Sequence, residues 1–360
     1  MKLIVQPADG TAPLLKGIAQ AKKSIQIVIF RFDQADIEHA LEEAAERGVF
    51  VHALIAFTNR GGEKNLRRLE MRFLEKGITV ARTANDLARY HGKMMLVDGK
   101  ELYLLTYNFT HLDTARSRSF GIVTRNRELI QAASQLFGCD TKRQAYVSRC
   151  NKLVVSPVNA RKCLAAFLKG AKQELLIYDI NLADKEMVRI LEDRCRAGVQ
   201  IKIIGHVAGS RYLTAHLLQK MRLHTRAIIR DSAQAFLGSQ SLRKMELDAR
   251  REIGIMVNNR KIVSKLATIF EGDWKTAVSD IPRSERKQLI DGHADRAARK
   301  VVKTVEKKLA PAPVIKQVLE IIQNEANVKV DSSQATQVVK GTLKKAVKKA
   351  TAKIVEEALA

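Results

Sequence analysis

The segment HGKMMLVD at residues 91–98 recurs as HTRAIIRD at residues 224–231, with histidine, a basic residue and aspartate in matching positions. The same offset of 133 residues relates FGCD at residues 137–140 to FEGD at residues 270–273. A motif that returns together with a second match at the same spacing indicates an internal repeat. The chain therefore contains two related segments.

A further match extends the repeat toward the N-terminus. LIVQP at residues 3–7 corresponds to LVVSP at residues 153–157, and here the offset is 150. Two sustained offsets in the same order along the chain indicate a duplication of a whole structural unit. We therefore expect one domain at residues 1–150 and a second at residues 151–282, related by pseudo-twofold symmetry.

Each copy has the pattern of an α/β domain. The apolar runs SIQIVIFRF at residues 24–32 and ELLIYDI at residues 174–180 are uninterrupted, which is typical of strands buried on both faces of a sheet. Residues 36–47 have apolar positions spaced by three and four, which predicts a helix after the first of these strands. The expected fold is two similar α/β/α domains followed by a basic helical tail at residues 283–360.

The formal net charge is +25, and it divides into +17 for residues 1–282 and +8 for residues 283–360. A positive field of this size favours an anionic partner: nucleic acid, an anionic membrane surface or a phosphate-bearing substrate. The Lys-rich tail is expected to contact one of these surfaces as an amphipathic helix. The alternative is a helical appendage that packs on the body with solvated lysines.

The composition favours a cytoplasmic protein. No apolar run reaches the roughly 18 residues that a membrane span requires. The cysteines show no CxxC pair and no metal-ligand spacing, which is typical of free thiols in a reducing compartment; they are Cys139, Cys150, Cys163 and Cys195. We expect a cytoplasmic location, with peripheral membrane contact through the tail as a further expectation.

The repeated motif combines histidine with a cation on one face of a strand. Alternate strand residues point to the same side, so His91 shares a face with Lys93, and His224 shares one with Arg226. A pseudo-twofold axis would bring both pairs into one pocket. There, one imidazole can attack phosphorus, the other can protonate the leaving oxygen, and the cations can bind phosphoryl oxygens.

Carboxylates complete both motifs. Asp98 and Asp231 are expected to orient the histidine rings and to support their positive charge. A metal site built from these histidines and aspartates is an alternative. Lys93 and Arg226 would repel a metal ion, so we expect no metal and no cofactor.

These residues resemble the phospholipase D superfamily, whose hallmark is HxK, four residues, aspartate, six residues and a G-S/G-x-N cluster, present twice in a chain. The resemblance covers roughly residues 1–280. It implies a metal-independent phosphodiesterase that hydrolyses or transfers headgroups. His91 would form a phosphohistidine, and His224 would act as general acid and later activate water or an alcohol. Lys93 and Arg226 would hold the phosphoryl oxygens.

The residues that follow each motif give candidate substrate contacts. By the resemblance, Asn108 contacts the phosphate, and Thr106 keeps a hydroxyl where the family has serine. In the second copy Ser239 matches that serine, whereas Ser241 replaces the asparagine. The resemblance implies that all four side chains lie near the substrate.

The copies have diverged at further positions. Arg226 stands where the family has lysine, which keeps the charge but replaces a compact ammonium with a planar fork. Glu252 matches a glutamate that the family often places downstream of the cluster, and we expect it to contact the substrate. The equivalent position in the first copy is Ser119.

Two substrate classes fit the resemblance. A phospholipid headgroup ester is favoured, because the two-copy chain resembles phospholipase D and the cardiolipin synthases. A nucleic-acid phosphodiester suits the charge of the body, but aromatic residues make up only 5% of the chain and offer few platforms for base stacking. The alternatives are a nuclease and a non-catalytic scaffold that binds phosphates. The sequence leaves the oligomeric state open.

Overall fold

A computed structural model describes residues 1–58, 63–210 and 212–279 of this chain. These residues belong to one structural unit, Met1–Asp280. The predicted tail at residues 283–360 lies outside the described residues. In the described part of the chain, no helix is both long enough and apolar enough to cross a membrane.

The first half is built around one mixed sheet. The strands of this half are β1 (Lys2–Gln6), β2 (Ser24–Ile29), β3 (Phe50–Ile55), β4 (Thr79–Arg82), β5 (Arg89–Tyr90), β6 (Met94–Val97), β7 (Glu101–Leu105) and β8 (Ser117–Thr124), of which β5 lies outside the sheet. Its helices are α1 (Ala12–Gln20), α2 (Ala35–Glu46), α3 (Glu63–Glu75), α4 (His111–Ala115) and α5 (Arg127–Thr141). The strand order is β1-β8-β7-β6-β2-β3-β4, in which β2, β3 and β4 run parallel.

The second half repeats this sheet. The strands of this half are β9 (Leu153–Val155), β10 (Glu174–Leu182), β11 (Gln200–Val207), β12 (Ala215–Leu217), β13 (Arg222–Leu223), β14 (Arg226–Arg230), β15 (Gln234–Gly238), β16 (Arg250–Arg251), β17 (Ile253–Val257) and β18 (Val278–Ser279), of which β13 and β16 lie outside the sheet. Its helices are α6 (Ala160–Lys169), α7 (Lys185–Arg196), α8 (Lys244–Asp248) and α9 (Arg260–Trp274). The strand order is β18-β12-β11-β10-β14-β15-β17-β9, with β10, β11 and β12 parallel.

The two sheets are buried on both faces, as the apolar runs predict. In β2, Ile27 and Ile29 face an outer core that they share with α1, α2 and α3, whereas Val28 faces a central core. This alternation follows from the two-residue period of a strand. The central core contains α5 and α9 and joins both halves, and α6 and α7 cover the outer face of the second sheet. The predicted α/β fold is confirmed.

The change of repeat offset has a structural cause. In the first half α3 lies between β3 and β4, whereas residues 208–214 join β11 to β12 in the second half. The second copy is therefore shorter at this point, which lowers the offset from 150 to 133. Because both halves share the central core, the predicted division at residue 150 stays a prediction.

Short strands and ion pairs cross between the halves in equivalent places. The strand β5 pairs with β16 of the second half, and β13 pairs with β8 of the first half. Arg118 forms a bidentate ion pair with Asp273, with N···O distances of 2.7 and 2.9 Å. Its repeat equivalent, Arg251, contacts Asp140 at 3.0 Å. These exchanged contacts confirm the predicted pseudo-twofold relation.

Candidate active site

His91 lies between β5 and β6, where the first half reaches the second. Its backbone N–H donates to the carbonyl oxygen of Arg251 at 2.7 Å. At the next residue, Gly92, an added Cβ would lie only 2.4 Å from Cδ1 of Ile253, so a larger residue would force the two segments apart. The backbone of the opposite half therefore anchors this histidine.

The His91 ring is held through both nitrogens. Nδ1 lies 2.8 Å from Oε2 of Glu252, and Nε2 lies 2.7 Å from Nζ of Lys93. An ionised carboxylate only accepts hydrogen bonds and an ammonium only donates them. Burial raises the pKa of Glu252, while Lys93 and Arg226 act to lower it. With Glu252 ionised and Lys93 charged, the contacts place the ring proton on Nδ1 and leave the lone pair on Nε2.

Burial and nearby cations keep His91 neutral. Burial lowers the pKa of His91 well below its usual value, and the charges of Lys93 and Arg226 lower it further. Burial also lowers the pKa of Lys93. A neutral imidazole with a lone pair on Nε2 is the form that can attack an electrophile.

His224 occupies the equivalent place between β13 and β14. Its backbone N–H donates to the carbonyl oxygen of Arg118 at 3.1 Å. Nε2 lies 3.4 Å from Oδ2 of Asp113, close enough for an ion pair, but neither Nε2 nor Nδ1 has a hydrogen-bond partner in the described part of the chain. The repeat equivalent of Glu252 is Ser119, whose hydroxyl also has no partner among the described residues.

Nε2 of His224 faces a carboxylate, whereas Nε2 of His91 faces the ammonium group of Lys93. Burial lowers the pKa of His224 well below its usual value, while the carboxylate of Asp113 acts to raise it. Asp113 itself is buried, but His224 and Arg222 outweigh that burial and lower its pKa. A carboxylate beside an imidazole stabilises the protonated ring, which is the form that donates a proton.

The other basic and amide groups of the motif join the same network. Arg226 donates from Nε to the Ser241 hydroxyl at 3.0 Å and from Nη1 to the His224 carbonyl oxygen at 2.9 Å. Asn108 donates from Nδ2 to Asp113 at 2.7 Å. Its Oδ1 is buried and has no partner in the described residues. Arg250 lies 3.2 Å from Glu246 and 4.0 Å from Glu252, the partner of His91. Glu246 also lies 3.8 Å from Arg226, so these ion pairs link the two motifs.

The expectation that Asp98 and Asp231 orient the histidines is wrong. Asp98 accepts hydrogen bonds from the backbone N–H groups of Lys22 and Lys23 at 3.1 and 2.7 Å. Asp231 makes the equivalent bonds in the second half. Because a strand advances about 3.3 Å per residue, β6 carries Asp98 roughly 16 Å beyond Lys93. Glu252 and Asp113 lie beside the histidines instead.

All five residues predicted to contact the substrate have partners within the protein. The Thr106 hydroxyl and the backbone of Phe120 exchange hydrogen bonds of 2.9 Å, and Ser239 contacts the backbone of Ile253. Glu252 is fully buried and contacts Nδ1 of His91 in this structure, and its expected substrate contact stays a prediction. Phosphate contacts by Thr106, Ser239, Ser241 and Asn108 stay predictions.

Several residues of the site were not predicted from the motifs. Asp113 and Glu246 follow Asn108 and Ser241 by five residues in their respective halves, and Glu246 lies 3.8 Å from Arg226. Arg89 and Arg222 precede the two histidines by two residues. Each pair is related by the offset of 133, which is the signal that could have identified them.

The described residues contain no cluster of three or more histidine, cysteine or acidic side chains that could hold a metal ion. The expected absence of a metal stays a prediction. Positive charge at the site comes from buried Lys93 and Arg226. The arrangement can therefore bind an anionic tetrahedral group between a neutral imidazole and one that a carboxylate supports.

Solved structures resemble this chain across both halves. Polyphosphate kinase from Porphyromonas gingivalis aligns with a TM-score of 0.63 and 21% identity over 75% of this chain and 49% of that chain, so this chain spans about half of its length. Phosphatidylserine synthase from Haemophilus influenzae Rd KW20 aligns with a TM-score of 0.61 and 10% identity over 78% and 87% of the two chains. These likenesses support the fold.

Sequence comparison identifies the family. No curated protein sequence matches the chain. The family described as "Cardiolipin synthase, PLD-like domain" matches residues 14–140 and 164–274, one segment in each half and together more than half of the chain. The chain therefore belongs to the phospholipase D-like family, whose members are phosphodiesterases or phosphotransferases.

Proposed function

We propose that this protein cleaves or transfers a phospholipid headgroup ester through a phosphohistidine at His91. The observation that carries the proposal is the contrast between two buried histidines. His91 pairs its Nδ1 with Glu252 and presents Nε2 to a cation, whereas His224 presents Nε2 to Asp113. One ring is thereby suited to attack and the other to proton donation.

In the first step the phosphodiester replaces His91 as the partner of Lys93. Lys93 and Arg226 bind the non-bridging oxygens and neutralise their charge. Nε2 of His91 attacks phosphorus, and the bond from phosphorus to the leaving oxygen breaks. Glu252 stabilises the positive charge that develops on the His91 ring.

Proton transfer by His224 completes this step and begins the next. Protonated His224 donates its proton to the leaving oxygen, and Asp113 stabilises the charged ring before transfer. Neutral His224 then takes a proton from water or an alcohol, whose oxygen attacks phosphorus. The phosphorus–nitrogen bond breaks, which restores His91 and leaves His224 protonated.

Two lines of support favour a phospholipid as substrate. The matched family and the phosphatidylserine synthase structure both carry names of phospholipid enzymes. In addition, apolar side chains are exposed next to site residues in both halves: Leu112 beside Asp113 is 43% exposed, and Met245 beside Glu246 is 50% exposed. Exposed apolar groups beside a basic site suit contact with an anionic lipid surface.

The test compares wild type, His91→Ala and His224→Ala on labelled phospholipid vesicles and on labelled single- and double-stranded DNA, all in EDTA. His39→Ala is the control, because His39 is exposed on α2, away from the motifs. We expect wild type and the control to cleave lipid. His91→Ala and His224→Ala should both be inactive, because the first step needs both histidines, and acid-quenched wild type should carry the substrate's phosphoryl group on His91, detectable by mass spectrometry.

Other results would overturn the proposal. Cleavage of DNA with no cleavage of lipid would identify a nuclease. Binding of all substrates without turnover, unaffected by His91→Ala, would identify a phosphate-binding scaffold. A requirement for added metal would contradict a mechanism in which Lys93 and Arg226 supply the positive charge.

A further inference from the structure

Two arginines lie directly opposite each other across the halves. Arg89 in β5 and Arg250 in β16 are partners in the strand register. Like charges directly opposite each other destabilise a sheet. Arg250 is balanced by Glu246 at 3.2 Å and approaches Glu252 at 4.0 Å. Arg89, by contrast, has no carboxylate partner in the described part of the chain.

The equivalent arginine of the second half is neutralised. Arg222 pairs in register with Ser117, and its Nη1 lies 2.8 Å from Oδ1 of Asp113. Arg89 has no such partner, because Glu246, the equivalent of Asp113, already pairs with other groups. The Glu246 carboxylate accepts hydrogen bonds from Arg250 and from the backbone N–H of Ser241, the latter at 2.7 Å. The same position is therefore neutralised in one half and left cationic in the other.

Arg89 is held close to the proposed nucleophile. Its guanidinium lies over the ring of Phe30, 5.5 Å from the centroid, and that ring packs edge-on against His91 with a centroid separation of 4.7 Å. Burial lowers the pKa of Arg89, and the charges of Arg250 and Arg31 lower it further, whereas Glu252 and Glu246 act to raise it. The fold thus keeps a half-buried guanidinium that no carboxylate of the described residues contacts directly.

We infer that Arg89 forms an anion-binding subsite beside His91, which binds a second anionic group of the substrate. The inference rests on the proposed function. A guanidinium presents paired N–H groups that match a phosphate or carboxylate. A bound anionic group would neutralise Arg89 in the way that Asp113 neutralises Arg222. A headgroup that ends in a cation, such as choline, would instead meet Arg89 and Arg250 with like charge.

A binding experiment tests the subsite without turnover. Calorimetry would compare glycerol 1,3-bisphosphate with glycerol 3-phosphate on wild type, Arg89→Gln and Arg125→Gln. Arg125 is the matched control, because its side chain is 80% exposed and pairs with Glu101 at the start of β7. We expect wild type to prefer the bisphosphate by about tenfold, and Arg89→Gln alone to lose that preference.

An activity experiment identifies the source of the second anion. Wild type and Arg89→Gln would be assayed on dihexanoyl phosphatidylserine and dihexanoyl phosphatidylcholine below their micellar concentrations, where surface charge plays no part. We expect Arg89→Gln to raise the KM for the serine lipid about tenfold, to leave kcat nearly unchanged, and to lower the KM for the choline lipid by removing a like charge. Arg89→Lys should recover part of the loss.

Several outcomes would overturn the inference. An unchanged bisphosphate preference in Arg89→Gln would show that the subsite lies elsewhere. A lowered melting temperature in this variant would indicate a structural role, because removal of a repulsive charge should leave the melting temperature unchanged or raised. A dinucleotide with an extra terminal phosphate, cleaved in preference to both lipids, would replace the lipid headgroup with a nucleic acid. If no substrate is cleaved, the calorimetric preference still decides the subsite.

Discussion

His91 and His224 occupy equivalent positions in the two halves, yet different groups surround them. The backbone N–H of each histidine donates to a carbonyl oxygen of the opposite half, that of Arg251 and that of Arg118 respectively. The carboxylate that contacts Nδ1 of His91 is replaced by Ser119 beside His224. The comparison teaches that the duplication preserved the scaffold of each half-site, while single side chains set its charge.

The largest expected effect comes from removing the carboxylate that is present in one half-site only. Glu252→Gln keeps a hydrogen-bond acceptor for Nδ1 of His91 but loses the negative charge that stabilises the ring during attack. We expect kcat to fall by about 100-fold. Ser119→Ala, at the equivalent position, should leave kcat within about twofold, since its hydroxyl has no partner in the described residues. Steady-state kinetics on the same lipid would measure both. Equal losses would mean that the half-sites are functionally alike.

A smaller effect should follow from restoring the missing carboxylate. In Ser119→Glu, a negative charge opposite Nδ1 should raise the pKa of His224, which burial now lowers. The general acid would then stay protonated to higher pH, so the alkaline limb of the kcat profile should move up by about one pH unit. Ser119→Gln is the control of equal size without charge. Identical profiles for the two variants would exclude His224 as the group that titrates.

The smallest effect on activity is expected where the halves are alike. Asp98 and Asp231 each accept three backbone N–H bonds at the start of a strand. Asp98→Asn and Asp231→Asn should each lower the free energy of unfolding by about 1–2 kcal/mol, and equally. Activity of the folded variants should stay within about twofold of wild type. Lost activity in a folded variant would restore the orienting role expected from the motif.

The pH dependence of this stability has a definite sign. Burial opposes ionisation of Asp98 and Asp231, but the backbone hydrogen bonds outweigh it and lower the pKa of both groups. A carboxyl group with a lowered folded pKa stabilises the fold above its unfolded pKa and loses this contribution as pH falls through the folded value. Urea unfolding should therefore separate the variants from wild type at pH 7 and bring them together at strongly acidic pH.

The sequence predicts the fold well because its evidence is distributed along the chain. Apolar runs such as residues 24–32 and 174–180 require burial on both faces, and the repeat relates the two copies. The helix expected at residues 36–47 is α2, Ala35–Glu46. Patterns of this kind depend on many residues at once, so no single substitution obscures them.

The details of the site are harder to predict, because sequence proximity does not give spatial proximity. Asp98 belongs to the motif, but β6 carries it to the other end of the sheet. Glu252 is 161 residues from His91 and still contacts it, because β5 pairs with β16. Arg89 and Asp113 become recognisable only when the register across the halves is known.

The crossed pairing of β5 with β16 and of β13 with β8 has a further consequence. Each half provides the backbone carbonyl group that binds the histidine N–H of the other half. A single copy on its own would therefore lack this hydrogen bond to its histidine. An ancestor with one copy would have needed to self-associate, and every residue would then have appeared in both half-sites. Joining the copies in one gene released that constraint. Glutamate and serine can now occupy equivalent positions, and nucleophile and acid can evolve independently within one molecule.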